Sequence, residues 1–124
     1  MIIIEIVNGI AKEQEFQYKA ESNNAKPGET GAFIRQHCLV HGHYVNGFRA
    51  TQPRDSAITL GIINKTRGAA APKPYALGKY VVSPECFYFD REELAFGRVR
   101  LQPLQEFLQE LNEQITALEG KKAA

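Results

Sequence analysis

Disulfides do not hold this chain together. It has two cysteines, Cys38 and Cys86, far apart and each set among apolar, strand-forming neighbours. A bridge-stapled secreted scaffold needs more of them, so both read as small buried hydrophobes of a reducing compartment. No run of about 18 or more apolar residues occurs, which excludes a membrane-spanning helix. The opening MIIIEIV lacks a basic n-region and is broken by Glu5, so it reads as a strand and not a signal peptide. A soluble, cytoplasmic protein is expected, with no membrane partner. Catalytic signatures are missing as well: there is no Gly-x-Ser-x-Gly elbow and no glycine-rich phosphate loop opening a helix. Glu92 and Glu93, adjacent in DREE at an expected hairpin tip, suit solvation better than acid–base work. The chain is therefore not expected to be an enzyme, and no cofactor is implied.

Net charge is small, +1, but it is unevenly spread. Across residues 30–84 the basic side chains Arg35, Arg49, Arg54, Lys65, Arg67, Lys73 and Lys79 face a single acid, Asp55. A local excess of this size favours an anionic partner, nucleic acid ahead of an anionic membrane surface. Residues 101–124 reverse the sign, with four glutamates against two lysines.

The 124 residues suit one domain with an appendage. Short alternating runs separated by turn residues fill the first hundred positions, the pattern of a small barrel or sandwich. Strands are expected at 1–7, 15–19, 33–40, 44–50, 57–64, 78–83, 87–89 and 94–101, with turns at Asn8-Gly9 and His41-Gly42, the first a strong hairpin signal. Three stretches rich in Gly, Pro and polar residues, 21–31, 51–56 and 65–74, read as surface loops. After Pro103 the period becomes helical: Leu104, Leu108, Leu111, Ile115 and Leu118 follow a 4-3-4-3 spacing, and Gly120 is placed as a stop. The chain thus divides into an all-β domain, 1–102, and a C-terminal amphipathic helix with a short basic tail, 103–124.

The densest set of metal-type ligands is His37, Cys38, His41 and His43 in QHCLVHGHY. Structural zinc wants four convergent ligands, but strand alternation sends His37 and Cys38 to opposite faces and no second Cys or His cluster completes the shell. No metal site is assigned. What stands out instead is aromatic residues interleaved with basic ones: Phe16 and Tyr18 with Lys19, Phe33 with Arg35, Tyr44 and Phe48 with Arg49, and Phe96 with Arg98 and Arg100. Unstacked bases lie on aromatic rings while Lys and Arg track phosphates, so this interleaving suits a single-stranded nucleic acid. Phe16 and Phe48 are assigned to the core. In a strand over 94–101, Leu94, Phe96, Arg98 and Arg100 would share one face, and two guanidiniums there need acids, phosphate or solvent.

Residues 74–103, PYALGKYVVSPECFYFDREELAFGRVRLQP, resemble the closing half of the gene V type single-stranded DNA-binding proteins of filamentous bacteriophages. The shared pattern is Pro74, Tyr75, Ala76, Gly78, Tyr80 and Val82, then Phe87, a hairpin, and Arg98, Arg100, Leu101 and Pro103; the opening MIIIEI is also similar. The resemblance implies an OB-like five-stranded antiparallel barrel and cooperative, sequence-tolerant coating of single-stranded DNA, with RNA as the alternative polymer, in the host cytoplasm. It implies phosphate contacts from Lys19, Lys26, Arg98 and Arg100, a stacking ring at Phe33, and a homodimer built on the hairpin carrying Phe87, Phe89, Leu94 and Phe96. Arg35 and Tyr44 join the nucleic-acid-binding set through their interleaving. Two rivals remain: an adaptor that recruits a partner through the C-terminal helix, and a small metal-binding protein using the histidines.

Overall fold

The computed structural model describes residues 1–123, apart from the side chains of Phe96 and residues 121–123. Among the described residues ten strands precede one α-helix: β1 (Ile3–Ile6), β2 (Ala11–Gln17), β3 (Thr30–His41), β4 (Tyr44–Val45), β5 (Phe48–Arg49), β6 (Arg54–Asn64), β7 (Gly78–Val82), β8 (Phe87–Asp90), β9 (Glu93–Phe96), β10 (Leu101–Pro103) and α1 (Leu104–Ala123). The 12-residue β3 organises the rest. Its alternation sends Ala32, Ile34, Gln36 and Cys38 inward and leaves Arg35 and His37 exposed, because successive side chains of an extended chain point to opposite faces. On one edge of β3, β2 pairs with residues 30–36 and β1 with residues 39–41; β6 runs along the other edge. β1 pairs in turn with β7, and β7 with β10, all antiparallel. A bulge interrupts the β3–β6 ladder where Ile34 faces Gly61 but Arg35 faces Thr59.

One apolar cluster joins Ile4 and Ile6 of β1, Cys38 of β3, Ile58 of β6, Tyr80 of β7 and Leu101 of β10. Val40, Leu60, Tyr75 and Val99 pack against it. β6 and β10 lie at opposite ends of the sheet, yet share this core, so the sheet is strongly curled. Among the described residues no ladder joins β6 or β2 to β10, and the sheet does not close by pairing. The molecule is mostly antiparallel β with one C-terminal helix. Two small hairpins, β4–β5 and β8–β9, stand off the main sheet. No described helix is long and apolar enough to cross a membrane. Both cysteines are buried and unbridged, as expected.

Buried polar bonds fasten the loops to this core. The Gln36 side chain is fully buried; its Nε2 donates to the carbonyls of Asn8 (3.0 Å) and Tyr75 (2.8 Å), and its Oε1 accepts from the Tyr75 N–H (2.8 Å). The Tyr75 hydroxyl accepts from the Leu101 N–H, and the Tyr80 hydroxyl donates to the Ala76 carbonyl. The two tyrosines of PYALGKY are therefore structural: they lock the segment before β7 over the core.

Several sequence expectations change. Asn8-Gly9 makes no hairpin, since β1 and β2 both pair with β3 and not with each other. The expected strand 44–50 is a hairpin folded at Asn46-Gly47, whose φ values of 50° and 85° suit the two-residue turn that matches strand twist. Phe48, assigned to the core, is 78% exposed on that hairpin. Residues 94–101 do not form one strand. Pairing with β8 ends at Phe96, the Gly97 N–H donates to the Cys86 carbonyl (2.7 Å), and the chain joins β7 only at Leu101. Finally, α1 continues through Gly120 to Ala123, because Gly120 does not take the left-handed conformation that a glycine stop requires. The expected basic tail is thus helical at residues 121–123; Ala124 lies outside the described residues.

Candidate nucleic-acid interface

The outward face of β2, β3 and β6 concentrates the chemistry. Register places Gln14 beside Phe33 and Lys12 beside Arg35, with Phe16 beside Gly31 at the end of the ladder. On the far side of β3, Ile62 faces Phe33, Thr59 faces Arg35 and Ala57 faces His37. The Phe16 and Phe33 rings lie 4.8 Å apart between centroids at 35°, and Tyr18 meets Phe16 edge-on at 4.9 Å. The Arg35 guanidinium sits 5.1 Å from the Phe33 centroid and donates through Nη1 to Gln14 Oε1 (3.2 Å). Gly31 is glycine for a steric reason: a Cβ there would lie 2.6 Å from Phe16 Cζ and 2.7 Å from Tyr18 Cε2. Phe16 therefore belongs to this partly exposed ring cluster, a correction to its assignment to the core.

Lys12 and Arg35 are direct cross-strand neighbours. Like charges placed opposite each other weaken a sheet unless an anion lies between them. With Asn8, Gln14 and His37 they line a cavity of about 490 Å³, and neither makes an ion pair among the described residues. Lys12 is missing from the sequence-derived set because the period-two pattern starts β2 only at residue 15; the register with Arg35 is what reveals it.

Lys19 and Lys26 are exposed on the loop between β2 and β3. This loop is braced. Ala25 is fully buried, Asn64 Nδ2 donates to the Asn24 carbonyl (3.0 Å), and the Thr30 N–H donates to Thr66 Oγ1 (2.8 Å). Arg67 donates to Glu29 through Nε (3.2 Å) and Nη2 (3.0 Å), and the Lys26 N–H also reaches the Glu29 carboxylate. Arg67 first, and then the Lys26 N–H, hold the Glu29 carboxyl below its ordinary value; Glu29 in turn raises Arg67. Lys65 is likewise raised by Glu15 and Glu13, both of which it contacts. Two of the seven basic residues in the central excess thus serve the fold. Arg35, Arg49, Arg54, Lys73 and Lys79 make no ion pair among the described residues.

Arg98 and Arg100 part company. Both are exposed in the connection between β9 and β10, not on one strand face. Arg98 lines a groove of about 570 Å³ with Tyr18, Ile62, Asn64 and Arg67, beside the end of the aromatic face. Arg100 lies 4.0 Å from Glu85, and its backbone is clamped by Cys86, whose Sγ accepts from the Arg100 N–H (3.0 Å) and donates to its carbonyl (3.4 Å). Tyr44 is exposed on the β4–β5 hairpin with the Arg49 guanidinium 5.7 Å from its ring. It follows His41, and His41 is eight residues along β3 from Phe33, on the order of 27 Å. Tyr44 is therefore outside the Phe16–Phe33 cluster.

The histidines do not converge. His37 Nε2 lies 2.7 Å from Asp55 and His41 Nε2 lies 2.8 Å from Glu5, and the described residues hold no group of three or more metal-type ligands. In the β8–β9 hairpin, Phe89 pairs with Leu94 and Phe87 with Phe96. Phe89 and Leu94 are 77% and 66% exposed, Phe87 is about half exposed, and the Phe96 side chain lies outside the described residues.

No protein-family model matches the chain, and no curated protein is similar to it in sequence.

Proposed function

We propose that this chain is an OB-like protein that binds single-stranded DNA without sequence preference, as a homodimer, and carries out no catalysis. The observation that carries the reading is the Lys12–Arg35 pair beside the Phe16–Phe33 rings on one solvent-facing sheet. Stacked bases suit the rings, at about 1 to 3 kcal/mol each, and phosphates suit the cations. The groove at Arg98 extends that surface at one end, and the exposed Lys19 and Lys26 lie on the adjoining loop. The curled sheet with a core common to β6 and β10 supports the OB-like reading. The resemblance of residues 74–103 to the gene V type proteins supports a filamentous phage or prophage origin, action in the host cytoplasm, and a dimer formed by the β8–β9 hairpin. An exposed apolar hairpin is the kind of surface that a second protomer covers.

The test is fluorescence polarisation with a labelled oligothymidine, titrated with salt and competed with duplex DNA and with oligouridine. About four phosphates neutralised per protomer predict a log–log salt slope near −3. Duplex DNA should fail to displace the probe, and oligouridine measures the preference for DNA over RNA. Absence of binding at low salt would overturn the proposal and favour the adaptor reading.

A further inference from the structure

The helix α1 leaves the body of the protein with its apolar seam uncovered. Leu104 and Phe107 are half-buried where the helix meets β7 and β10. Beyond them Leu108, Leu111, Ile115 and Leu118 are 40%, 36%, 44% and 62% exposed. In proteins a helix draws most of its stability from packing an apolar face and less from the propensity of its residues. Something is needed to cover this one.

The flanks of the seam say what. In the 4-3-4-3 spacing, Leu108 and Ile115 take one core position of a heptad, and Leu104, Leu111 and Leu118 the other. The positions that border such a seam and choose its partner by charge hold Gln105, Phe107, Asn112, Gln114 and Glu119 along the described side chains. Only Glu119 is charged. The acids Glu106, Glu110 and Glu113 lie on the opposite side of the helix. A seam tuned to a foreign helix would display complementary charges along its borders. This one is nearly neutral there, so two identical copies meet without like-charge repulsion. We infer that α1 pairs with α1 of a second copy of this chain, seam to seam.

About two heptads are short for a free-standing coiled coil. The pairing therefore operates between protomers already held together, where the second contact is intramolecular and its effective concentration reaches the millimolar range. In this respect it rests on the dimer of the proposed function. The consequence is a dimer closed at two places, the β8–β9 hairpin and α1, with acidic outer helix faces turned away from a polyanion.

The experiment places a spin label at Asn112→Cys, an exposed border position, in the full chain; Cys38 and Cys86 are 1% and 2% exposed and leave the new thiol as the reactive one. Dipolar EPR is expected to give one short inter-label distance, set by helix axes about 10 Å apart plus the label arms. Adding Ile115→Asp should abolish that distance and lower the helical circular dichroism, while affinity for a short oligothymidine stays within about twofold. Adding Glu113→Gln, on the outer face, should leave the distance intact. A dimer by sedimentation without the short distance would overturn the pairing and spare the hairpin dimer. A monomer by sedimentation would overturn both. A short distance that survives Ile115→Asp would overturn the seam as its cause.

Discussion

Gln36→Leu replaces a fully buried amide by an alkyl group of similar bulk and so isolates the hydrogen bonds from the packing. Three bonds disappear, stranding the N–H and carbonyl of Tyr75 and the carbonyl of Asn8. The two Tyr75 groups, under the loop, cost about 1.5 kcal/mol each; Asn8 is exposed, so water restores its carbonyl for about 1 kcal/mol. Burial of the leucine offsets about 2 kcal/mol of this total. The net loss is about 2 kcal/mol, which for a domain of this size lowers the melting midpoint by about 8 °C. The chain has no tryptophan, so urea unfolding is followed by far-ultraviolet circular dichroism or tyrosine fluorescence. Gln36 points inward between Arg35 and His37, which point outward, so well below the midpoint oligothymidine affinity should be nearly unchanged. A stability change under about 0.5 kcal/mol would refute the assignment of Gln36 as the clamp between the sheet and the segment before β7.

Lys12→Ala and Arg35→Ala should each reduce the salt slope of oligothymidine binding by about 0.7, and an unchanged slope would remove that residue from the phosphate path. Lys12→Ala should cost no stability in the free protein, because it relieves a like-charge pair. Gly31→Ala drives a Cβ into the Phe16 and Tyr18 rings and should weaken binding roughly tenfold, the scale of one lost base stack; a fully retained affinity would separate the ring cluster from binding. The Glu29 carboxyl has a lowered folded value, so the stability it contributes is fully present above its ordinary value and is lost as pH falls through the lowered one. Glu29→Gln should therefore flatten the acid side of the urea-midpoint profile, and an acid limb as steep as before would count against the Arg67 brace. Burial raises the Cys38 thiol, and Cys86 is equally covered, so neither should react with a thiol reagent until the protein unfolds.

What the sequence revealed and what it hid divide along one physical line. Period-two alternation and punctuation by Gly, Pro and Asn are local, and they located most strands, the buried cysteines and the surface loops, except that the expected loop 51–56 gives up residues 54–56 to β6. The helical seam was legible for the same reason. Pairing partners are not local. Leu94 to Leu101 alternates like a single strand, yet the chain changes partner from β8 to β7 within it, at the point where Cys86 holds Gly97 and Arg100. That change separates Arg98, on the groove with Tyr18, from Arg100, beside Glu85. Asn46-Gly47 carried a local turn signal that the apolar run around it concealed. Lys12 shows the same lesson from the other side: an unremarkable lysine before an expected strand becomes half of a cation pair once β2 is set antiparallel on β3. Residue type alone could propose Phe33 and Arg35 as neighbours, since they share a strand face at a spacing of two. Only register could add the residues from β2 that complete the face proposed to meet a polyanion, and the salt slope of Lys12→Ala is the direct measure of whether that register reads the site correctly.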